Sequence, residues 1–315
     1  MTTSQTPTAY AALTTGAALV DRSERGKLAL LGPEAKAALN GLVTNEVEAL
    51  TPGAGLYAAV LTPKGKMVGD LRVLDRGDEL LLDTERVALQ AVFDIVRHGL
   101  VGFDAQLDKR TLQRGLLSLI GPRSREACGT PGLPPAEHSS AAAGIAGHDV
   151  VLIATDLGVD VLCAAEATGA VRDALLAAGA VAVGEADAEV VRVESGRPRY
   201  GVDLDDSVIP QEAGLNDRAV SFTKGCYIGQ ETVARLYYRG KPNRHLRGLR
   251  LAMPAAPGTA LHAGERQVGT LTSVAHSPRL GDIGLAIVRR EVEPGASVAV
   301  GDDGATAQVV ELPFG

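Results

Sequence analysis

Tryptophan is absent from this 315-residue chain, and aromatic residues make up only 3% of it. The cores must therefore be built mainly from small aliphatic side chains. The three cysteines, Cys128, Cys163 and Cys226, are far apart and form no CxxC pair. Their odd number and wide spacing exclude a disulfide framework and predict no metal or cluster site. A reducing cytoplasm is the compartment that this cysteine usage indicates.

Long apolar runs are also missing, and none reaches the about 18 residues that a membrane span needs. Residues 1–12 lack the basic start and apolar core of a signal peptide. The net charge of −7 argues against a nucleic-acid partner, and 45% hydrophobic residues are typical of a soluble globular protein. We therefore expect a cytoplasmic chain of two or three domains without membrane contact, starting with a polar disordered segment at residues 1–9.

Two successive sections share one order of predicted elements: a strand, a helix, a hairpin and another helix. Leu-Leu-Gly-Pro at residues 30–33 is matched by Leu-Ile-Gly-Pro at residues 119–122. Hairpins are predicted around turns at residues 75–78 and 156–158. This pattern predicts an α+β fold with two repeated lobes, at about residues 26–110 and 111–200, with mostly antiparallel sheets.

The segments between and after these elements are predicted as follows. Residues 101–107 are expected to form a strand, residues 129–147 a loop, and residues 186–194 a helix. From residue 246, short alternating runs separated by Gly, Pro and Asp predict a small β-barrel or sandwich. We therefore place the domain boundary near residue 244, with one region at 1–244 and the barrel at 245–315.

Residues 222–231, Phe-Thr-Lys-Gly-Cys-Tyr-Ile-Gly-Gln-Glu, are the stretch densest in reactive groups. Cys226 lies just ahead of a predicted helix that begins at Gln230, and it is two residues from Lys224. A helix N-terminus and a nearby ammonium both favour the thiolate. Cys226, Lys224 and Gln230 are therefore the candidate catalytic residues. The alternative is a structural loop in which the cysteine merely packs.

Lys-Gly-Cys-Tyr-Ile-Gly-Gln-Glu at residues 224–231 resembles the signature of the YgfZ-type folate-binding proteins, in the superfamily of the glycine cleavage T-protein, an aminomethyltransferase. The resemblance extends to residues 53–70, 269–273 and 284–286, and it covers most of the chain after the first ten residues. It implies a ring of three domains around a folate pocket, with tetrahydrofolate as the cofactor. It also implies a role in the assembly or repair of iron–sulfur proteins, so that iron–sulfur enzymes or cluster carriers are the partners.

The same resemblance suggests residues for the folate. Glu194 is similar to the T-protein glutamate that holds the pterin ring, and a carboxylate can accept two parallel hydrogen bonds from an amino-pyrimidinone edge. The alternative for Glu194 is a solvated residue at a helix C-terminus.

A folate also needs aromatic stacking and cations. The candidates for stacking on the rings are Tyr57, Tyr200, Phe222 and Tyr227, although most buried aromatics are simply core. Arg235 and Arg239 belong to a run of cations that could hold the glutamate tail. The alternative for this run is a solvated charged face.

One departure from the T-proteins bears on the reaction. T-proteins have an Asn-Ala pair and then a catalytic acid after the first-lobe hairpin, and residues 83–90 here contain no clear equivalent. The leading hypothesis is therefore a tetrahydrofolate-binding accessory factor for iron–sulfur proteins that uses the Cys226 thiol. The alternatives are a folate-dependent aminomethyl or one-carbon transferase, and a non-catalytic scaffold that docks a cluster-carrying partner through residues 235–250.

Overall fold

Runs of leucine, valine and alanine form the buried strands of two sheets and a barrel in the computed structural model, which describes residues 7–129, 132–302 and 304–315. In chain order the elements of the two lobes are α1 (Pro7–Thr15), β1 (Ala18–Asp21), β2 (Gly26–Leu31), α2 (Ala35–Asn40), β3 (Gly55–Leu61), β4 (Met67–Asp75), β5 (Leu80–Thr84), α3 (Leu89–Gly99), β6 (Gln106–Lys109), β7 (Arg114–Ile120), α4 (Ser124–Ala127), β8 (Ser140–Ile145), β9 (His148–Ala154), β10 (Gly158–Ala164), α5 (Thr168–Ala177), β11 (Val181–Ala182) and α6 (Glu185–Glu194). The remaining elements are α7 (Asn216–Ala219), α8 (Gln230–Arg239), β12 (Arg244–Leu251), β13 (Ala260–Ala263), β14 (Arg266–Ser277), β15 (Gly281–Arg289), β16 (Ser297–Val300) and β17 (Ala305–Val310). Within the described ranges, no helix is both long and apolar enough to cross a membrane.

The two lobes are built on the same plan. The strand order is β3-β4-β5-β2-β6 in the first sheet and β8-β9-β10-β7-β1-β11 in the second. All neighbours are antiparallel except β1 and β11, which are parallel. The predicted fold of two repeated, mostly antiparallel lobes followed by a barrel is therefore confirmed.

The lobes also exchange a strand. β1 precedes β2 in the chain but pairs with β7 of the second lobe, whereas β6 precedes β7 but pairs with β2 of the first lobe. The connections at residues 22–25 and 110–113 consequently pass from one sheet to the other. This crossing brings charged side chains of the first connection to the junction of the lobes, where Arg22 and Arg25 line a cavity.

Apolar residues on the facing sides of the two sheets close the junction. Leu74 and Leu81 of the first sheet pack with Leu116, Ile153 and Leu162 of the second. Helices α2 and α3 cover the opposite side of the first sheet, and α5 covers that of the second. Each sheet thus has one face in its own lobe core and one face at the junction.

Six strands close the C-terminal barrel in the order β12-β15-β14-β13-β16-β17. Its first strand begins at Arg244. Helix α6 packs against β14 and β15, and Val193 joins an apolar cluster with Leu246, Ile283, Leu285 and Phe314. The barrel therefore holds the C-terminal end of α6 in place.

The prediction of a disordered segment at residues 1–9 is wrong for residues 7–9. Residues 1–6 lie outside the described residues, but helix α1 begins at Pro7. Ala9, Ala12 and Leu13 are buried, and the last two pack in one cluster with residues of β1 and α6. Burial of these small side chains stabilises the helix, although the polar composition of residues 1–9 predicts no helix there.

Two other predictions needed correction. The strand expected at residues 101–107 is displaced to β6, because Gly102 at φ 93° turns the chain and leaves Val101 exposed. The loop expected at residues 129–147 contains β8, which pairs with β9 through the two-residue turn Ala146-Gly147. Both turn residues have positive φ, as a type I′ hairpin turn requires. Ala-rich sequence concealed this strand, since alanine has a low strand preference.

Candidate functional site

A cavity of about 200 Å³ opens where the two lobes meet α6 and the segment after it. Seven arginines and five carboxyl groups line its walls, and each of the arginines is ion-paired with a carboxylate. The charged lining residues are Arg22, Arg25, Arg72, Arg192, Arg197, Arg199 and Arg218 with Asp70, Glu85, Glu137, Asp156 and Asp160.

Strand pairing places an acid and a phenol side by side at this cavity. Ala59 of β3 is opposite Asp70 of β4, and Tyr57 is opposite Arg72, so that Tyr57 is the diagonal neighbour of Asp70 on the same face. The Tyr57 hydroxyl donates a hydrogen bond of 2.5 Å to Asp70 Oδ2. The Asp70 side chain is therefore fixed by the sheet register and by its phenol partner.

The buried position of Asp70 changes its acidity. Burial raises the pKa of Asp70 to about 6, the nearby Glu85 and Asp83 act in the same direction, and the Tyr57 hydrogen bond and Arg25 oppose them. Burial and Asp70 likewise raise the pKa of Tyr57 well above its usual value. A carboxyl group with a pKa close to neutral can both give and take a proton under physiological conditions.

Ion pairs around Asp70 connect the two lobes. Arg72 places Nε 2.7 Å from Asp83 Oδ2 in its own lobe and Nη1 2.6 Å from Asp160 Oδ2 in the second lobe. Arg25 pairs with Asp83 as well, at 3.0 Å from Oδ1. These two guanidinium groups hold the pKa of Asp83 far below its usual value despite its burial. Asp83 is thus a structural anion, unlike its neighbour Asp70.

The opposite wall carries a histidine and an arginine. The Arg218 guanidinium lies 5.6 Å from the centre of the Tyr57 ring and forms an ion pair with Glu137. The His138 ring is stacked 6.5 Å from the same Tyr57 ring. Burial, Arg72 and Arg218 lower the pKa of His138 to about 3, so its imidazole is neutral at physiological pH.

Helix α6 and the following residues complete the cavity. Arg192 forms ion pairs with Glu189 and with Asp203, whose Oδ2 is 2.7 Å from Nη1. Its guanidinium also donates to Ser273 Oγ of the barrel at 2.6 Å. Arg197 pairs with Asp156 of the second lobe at 2.7 Å. The third domain is therefore tied to the cavity wall by α6.

Among the residues predicted to bind folate, Tyr57 and Tyr200 line the cavity. Glu194 does not line it: its carboxylate accepts hydrogen bonds from Tyr10 of α1, at 2.8 Å, and from Ser277 of the barrel. Glu194 is only 7% exposed, so the alternative of a solvated residue is wrong. Its predicted contact with a pterin stays a prediction, and its observed contacts join α1, α6 and the barrel.

The motif at residues 224–231 packs on the first lobe. The Lys224 ammonium donates to the carbonyl oxygens of Asn40, Val43 and Asn45 at 2.6, 2.8 and 2.7 Å. Burial lowers the pKa of Lys224 to about 8. Tyr227 is buried in an apolar cluster with residues of β3 and β4, and it does not line the cavity, although Tyr57 and Tyr200 pack against the same cluster. The motif is therefore anchored on both sides of its cysteine.

Cys226 itself is exposed. Within the described part of the chain, no hydrogen bond to its side chain is formed, and the Lys224 ammonium is directed at the three carbonyl groups instead. Helix α8 begins at Gln230, as predicted, with Gly229 at φ 85° before it. The Gln230 amide is 3.5 Å from the Gly225 carbonyl oxygen.

An aromatic cluster lies beside this loop. The Phe222 ring stacks on Tyr237 with 3.7 Å between ring centres, and Tyr238 meets Tyr237 edge-on at 5.0 Å. Tyr237, Tyr238 and the predicted tail-binding residues Arg235 and Arg239 are all exposed on α8. The predicted site residues thus fall into three groups: Tyr57 and Tyr200 in the cavity, Glu194 between α1 and the barrel, and the motif at residues 224–231 with α8. In the third group Lys224 and Tyr227 are buried, whereas Cys226 is exposed.

Sequence reasoning missed Asp70, Arg72, His138 and Arg218. Asp70 had a visible signal, since it is a carboxylate inside the otherwise mostly apolar strand β4. His138 had none, because it lies in a segment with no periodic pattern. The buried acid next to Tyr57 lies in β4, outside residues 83–90, the stretch in which the sequence shows no clear equivalent of the T-protein acid.

Comparison with known proteins gives matches along nearly the whole chain. Residues 5–224 match the family described as the GCVT N-terminal domain, and residues 244–314 match the glycine cleavage T-protein C-terminal barrel domain. An aminomethyltransferase of Geobacillus kaustophilus is 30% identical, over 97% of this chain and 89% of its own length. An aminomethyltransferase of Rubrobacter xylanophilus is 28% identical, over 97% and 85%.

A solved structure has the same fold. The glycine cleavage system aminomethyltransferase T of Bartonella henselae superposes with a TM-score of 0.88 at 22% identity, over 98% of this chain and 89% of that one. At this level of identity the likeness concerns the fold alone.

Proposed function

Because the chain belongs to the family of the glycine cleavage T-protein, we propose that it binds tetrahydrofolate in the cavity between its two lobes. The buried pair of Asp70 and Tyr57 carries this proposal. It provides a carboxyl group that exchanges a proton near neutral pH, next to an aromatic ring, in a cavity lined by seven arginines. An aromatic ring and a hydrogen-bonding carboxyl group suit the ring system of a reduced folate, and guanidinium groups suit its carboxylates.

The lining residues fit the parts of a folate. The rings of Tyr57 and Tyr200 supply aromatic surface for the ring system, and the carboxyl groups of Asp70 and Glu137 can accept hydrogen bonds from an amino-pyrimidinone edge. The guanidinium groups of the lining arginines suit the carboxylates of the glutamate tail. When bound, tetrahydrofolate would supply amine nitrogens that can accept a one-carbon unit.

Asp70 would have the chemical role. Its Oδ2 accepts the hydrogen bond from Tyr57, which holds the carboxyl plane in position. With a pKa of about 6, the carboxyl group can deliver or remove a proton at pH 6–7. The ion pairs of Arg72 with Asp83 and Asp160 keep the neighbouring charges fixed while Asp70 titrates.

Calorimetric titration of tetrahydrofolate under anaerobic conditions tests the binding. The wild-type protein should bind with a sub-millimolar dissociation constant. Tyr57→Ala should weaken binding by about tenfold or more, because one stacking ring and the phenol that holds Asp70 are lost. Tyr237→Ala is the matched control, since this tyrosine is exposed and lies outside the cavity lining, and it should bind like the wild type. Absence of saturable binding to the wild-type protein would refute the proposal.

We further propose that the chain is a YgfZ-type accessory factor for iron–sulfur proteins, with Cys226 as the working thiol. The exposure of Cys226 supports this role, because an exposed thiol is accessible to a partner protein. The aromatic rings of Phe222, Tyr237 and Tyr238 and the cations of α8 lie beside it and offer a contact surface. These features are also compatible with a scaffold that only docks such a partner.

Complementation distinguishes these roles. In a strain that lacks the protein, Cys226→Ala should fail to restore the activity of iron–sulfur enzymes, whereas Cys163→Ala, which removes a buried thiol, should restore it. Full restoration by Cys226→Ala would remove the thiol role. In that case, loss of function on charge reversal at Arg239 and Lys241, with folate binding intact, would favour the scaffold.

Aminomethyl or one-carbon transfer is the second candidate function. Asp70 favours it, because Asp70 is a buried carboxyl group with a raised pKa in the cavity, whereas residues 83–90 contain no clear equivalent of the T-protein acid. The protein should then consume tetrahydrofolate in the presence of an aminomethyl donor, and Asp70→Asn should abolish turnover while retaining binding. Lack of turnover by the wild-type protein with saturating folate and donor would exclude this function.

A further inference from the structure

His138 is a buried polar residue whose ring is incompletely satisfied. The residue is only 9% exposed, and its Nδ1 atom is buried with no hydrogen-bond partner in the described residues. Of the buried side-chain nitrogen and oxygen atoms left unpaired in those residues, Nδ1 is the one whose residue lines the cavity. A buried polar atom without a partner is destabilising, so its presence in a cavity wall needs an explanation.

The backbone of His138 is strained as well. Its φ of 68° lies in the left-handed region, which non-glycine residues rarely adopt. The conformation is held from both sides: its N–H donates to the Ala154 carbonyl at 2.8 Å, and its own carbonyl closely approaches Gly55, where a Cβ would be 2.6 Å away. Such strained residues cluster at ligand-binding sites, where the surrounding structure maintains them.

The surroundings also favour one of the two positions for the ring proton. The imidazole is neutral, so it has one N–H donor and one bare acceptor nitrogen. Nε2 lies 3.5 Å from a carboxylate oxygen of Glu137, which favours the proton on Nε2. Nδ1 is then a bare acceptor on a residue that lines the cavity, and the described residues provide no donor for it.

We propose that His138 positions the ligand by accepting, at Nδ1, a hydrogen bond from an N–H group of its amino-pyrimidinone ring. This inference rests on the folate binding proposed above and adds a recognition residue to it. The Tyr57 ring, stacked 6.5 Å from the imidazole, and Asp70 beyond it would then contact the same end of the ligand. His138 therefore acts in recognition rather than in proton transfer.

Two substitutions of His138 separate the effect of its side chain from the effect of its strained backbone. Asparagine and glycine both tolerate a positive φ, so neither His138→Asn nor His138→Gly adds strain. Asparagine keeps a short polar side chain with an acceptor oxygen, whereas glycine has none. Tetrahydrofolate titration at pH 7.5 should give affinities within about threefold of the wild type for His138→Asn and about tenfold weaker for His138→Gly, because one buried hydrogen bond is lost.

A spectroscopic measurement makes the test independent of the variants. In wild-type protein labelled with ¹⁵N at histidine, the Nδ1 resonance of His138 should shift toward that of a hydrogen-bonded nitrogen when tetrahydrofolate is added. An unchanged resonance at saturation, wild-type affinity of His138→Gly, or equal losses in both variants would overturn the role of His138 while leaving folate binding intact. Failure of the wild-type protein to bind tetrahydrofolate would overturn both.

Discussion

Replacing Lys224 by methionine tests whether this lysine anchors the motif or takes part in the chemistry. Its ammonium has three N–H donors, and all three are matched by carbonyl oxygens, those of Asn40, Val43 and Asn45, at 2.6–2.8 Å. Methionine has a similar length and is apolar, so it retains most of the packing. The substitution therefore removes the three hydrogen bonds with little change in shape.

The cost follows from what the carbonyl groups lose. The bond to Val43 is buried, and the bonds to Asn40 and Asn45 are partly buried, so water can replace the lysine at two of the three positions. An unsatisfied buried acceptor costs about 1–3 kcal/mol, and the partly hydrated ones cost less. Part of this loss is offset because an ammonium no longer has to be buried. We expect a net loss of about 2–3 kcal/mol in the free energy of unfolding.

Urea unfolding followed by circular dichroism measures this loss, and Lys66→Met is the matched control. The Lys66 ammonium donates to one carbonyl oxygen, that of Ser207, at 2.6 Å, and its side chain is 36% exposed. It also lies 4.0 Å from Oε2 of Glu212, but that carboxylate keeps Arg244 as a partner at 2.8 Å. Replacement of Lys66 should cost less than about 1 kcal/mol. Tetrahydrofolate affinity should be unchanged in folded Lys224→Met, since Lys224 does not line the cavity.

The opposite pattern would refute this reasoning. If Lys224→Met unfolds at the same urea concentration as the wild type but has lost folate binding or function in vivo, the ammonium acts on a ligand or partner. The sequence-based assignment of Lys224 as a catalytic residue would then be correct, and the carbonyl contacts would be incidental.

Three further predictions concern acidity, backbone conformation and the junction of the lobes. Asp70→Asn should remove a pH dependence of stability. The pKa of Asp70 is raised to about 6 in the folded protein, so the free energy of unfolding of the wild type falls as the pH rises from 4 to 7. Urea unfolding should therefore show the variant gaining about 2–3 kcal/mol relative to the wild type over that interval. A pH-independent difference between the two proteins would contradict this. Gly229→Ala should lower the free energy of unfolding by about 2–4 kcal/mol, because Gly229 has φ 85° and a Cβ would lie 2.6 Å from the Thr62 carbonyl oxygen. Gly225→Ala, with open space around it, should change that free energy by no more than about 0.5 kcal/mol. Equal effects of the two substitutions in thermal unfolding would argue against the anchoring of the loop at Gly229. Arg72→Met should cost about 3–5 kcal/mol, because it leaves buried carboxylates in both lobes without one partner, and an unchanged urea midpoint would show that the bridge contributes nothing.

The fold was predictable where periodicity is local. The hairpin of β4 and β5, helix α3 and the barrel strands have apolar patterns long enough to identify. The repeated order of elements supported the prediction of two similar lobes. Strands β1 and β11 are only four and two residues long, so they carry no periodic signal. β1 pairs with both β7 and β11, and these pairings join segments that are far apart in the sequence.

The site was predictable only in part, for a different reason. The motif around Cys226 is contiguous in sequence and was therefore visible. The cavity residues come from separate parts of the chain, among them the β1–β2 connection, β3, β4, the segment before β8, α6 and the segment after it, and their properties come from that assembly. Asp70 is an ordinary carboxylate in sequence, and its raised pKa exists only because two lobes bury it beside Glu85.

The position of Cys226 can be understood from the two anchors on either side of it. Before the cysteine, Lys224 is bound to the carbonyl groups of the first lobe, and after it, Tyr227 is buried and Gly229 contacts the β3–β4 connection. A loop fixed at both ends cannot easily swing its thiol into the cavity, which none of these residues lines. A reactant for Cys226 must then come from the solvent side. The proposed folate recognition and the proposed thiol chemistry are therefore separable, and loss of one in a variant need not entail loss of the other.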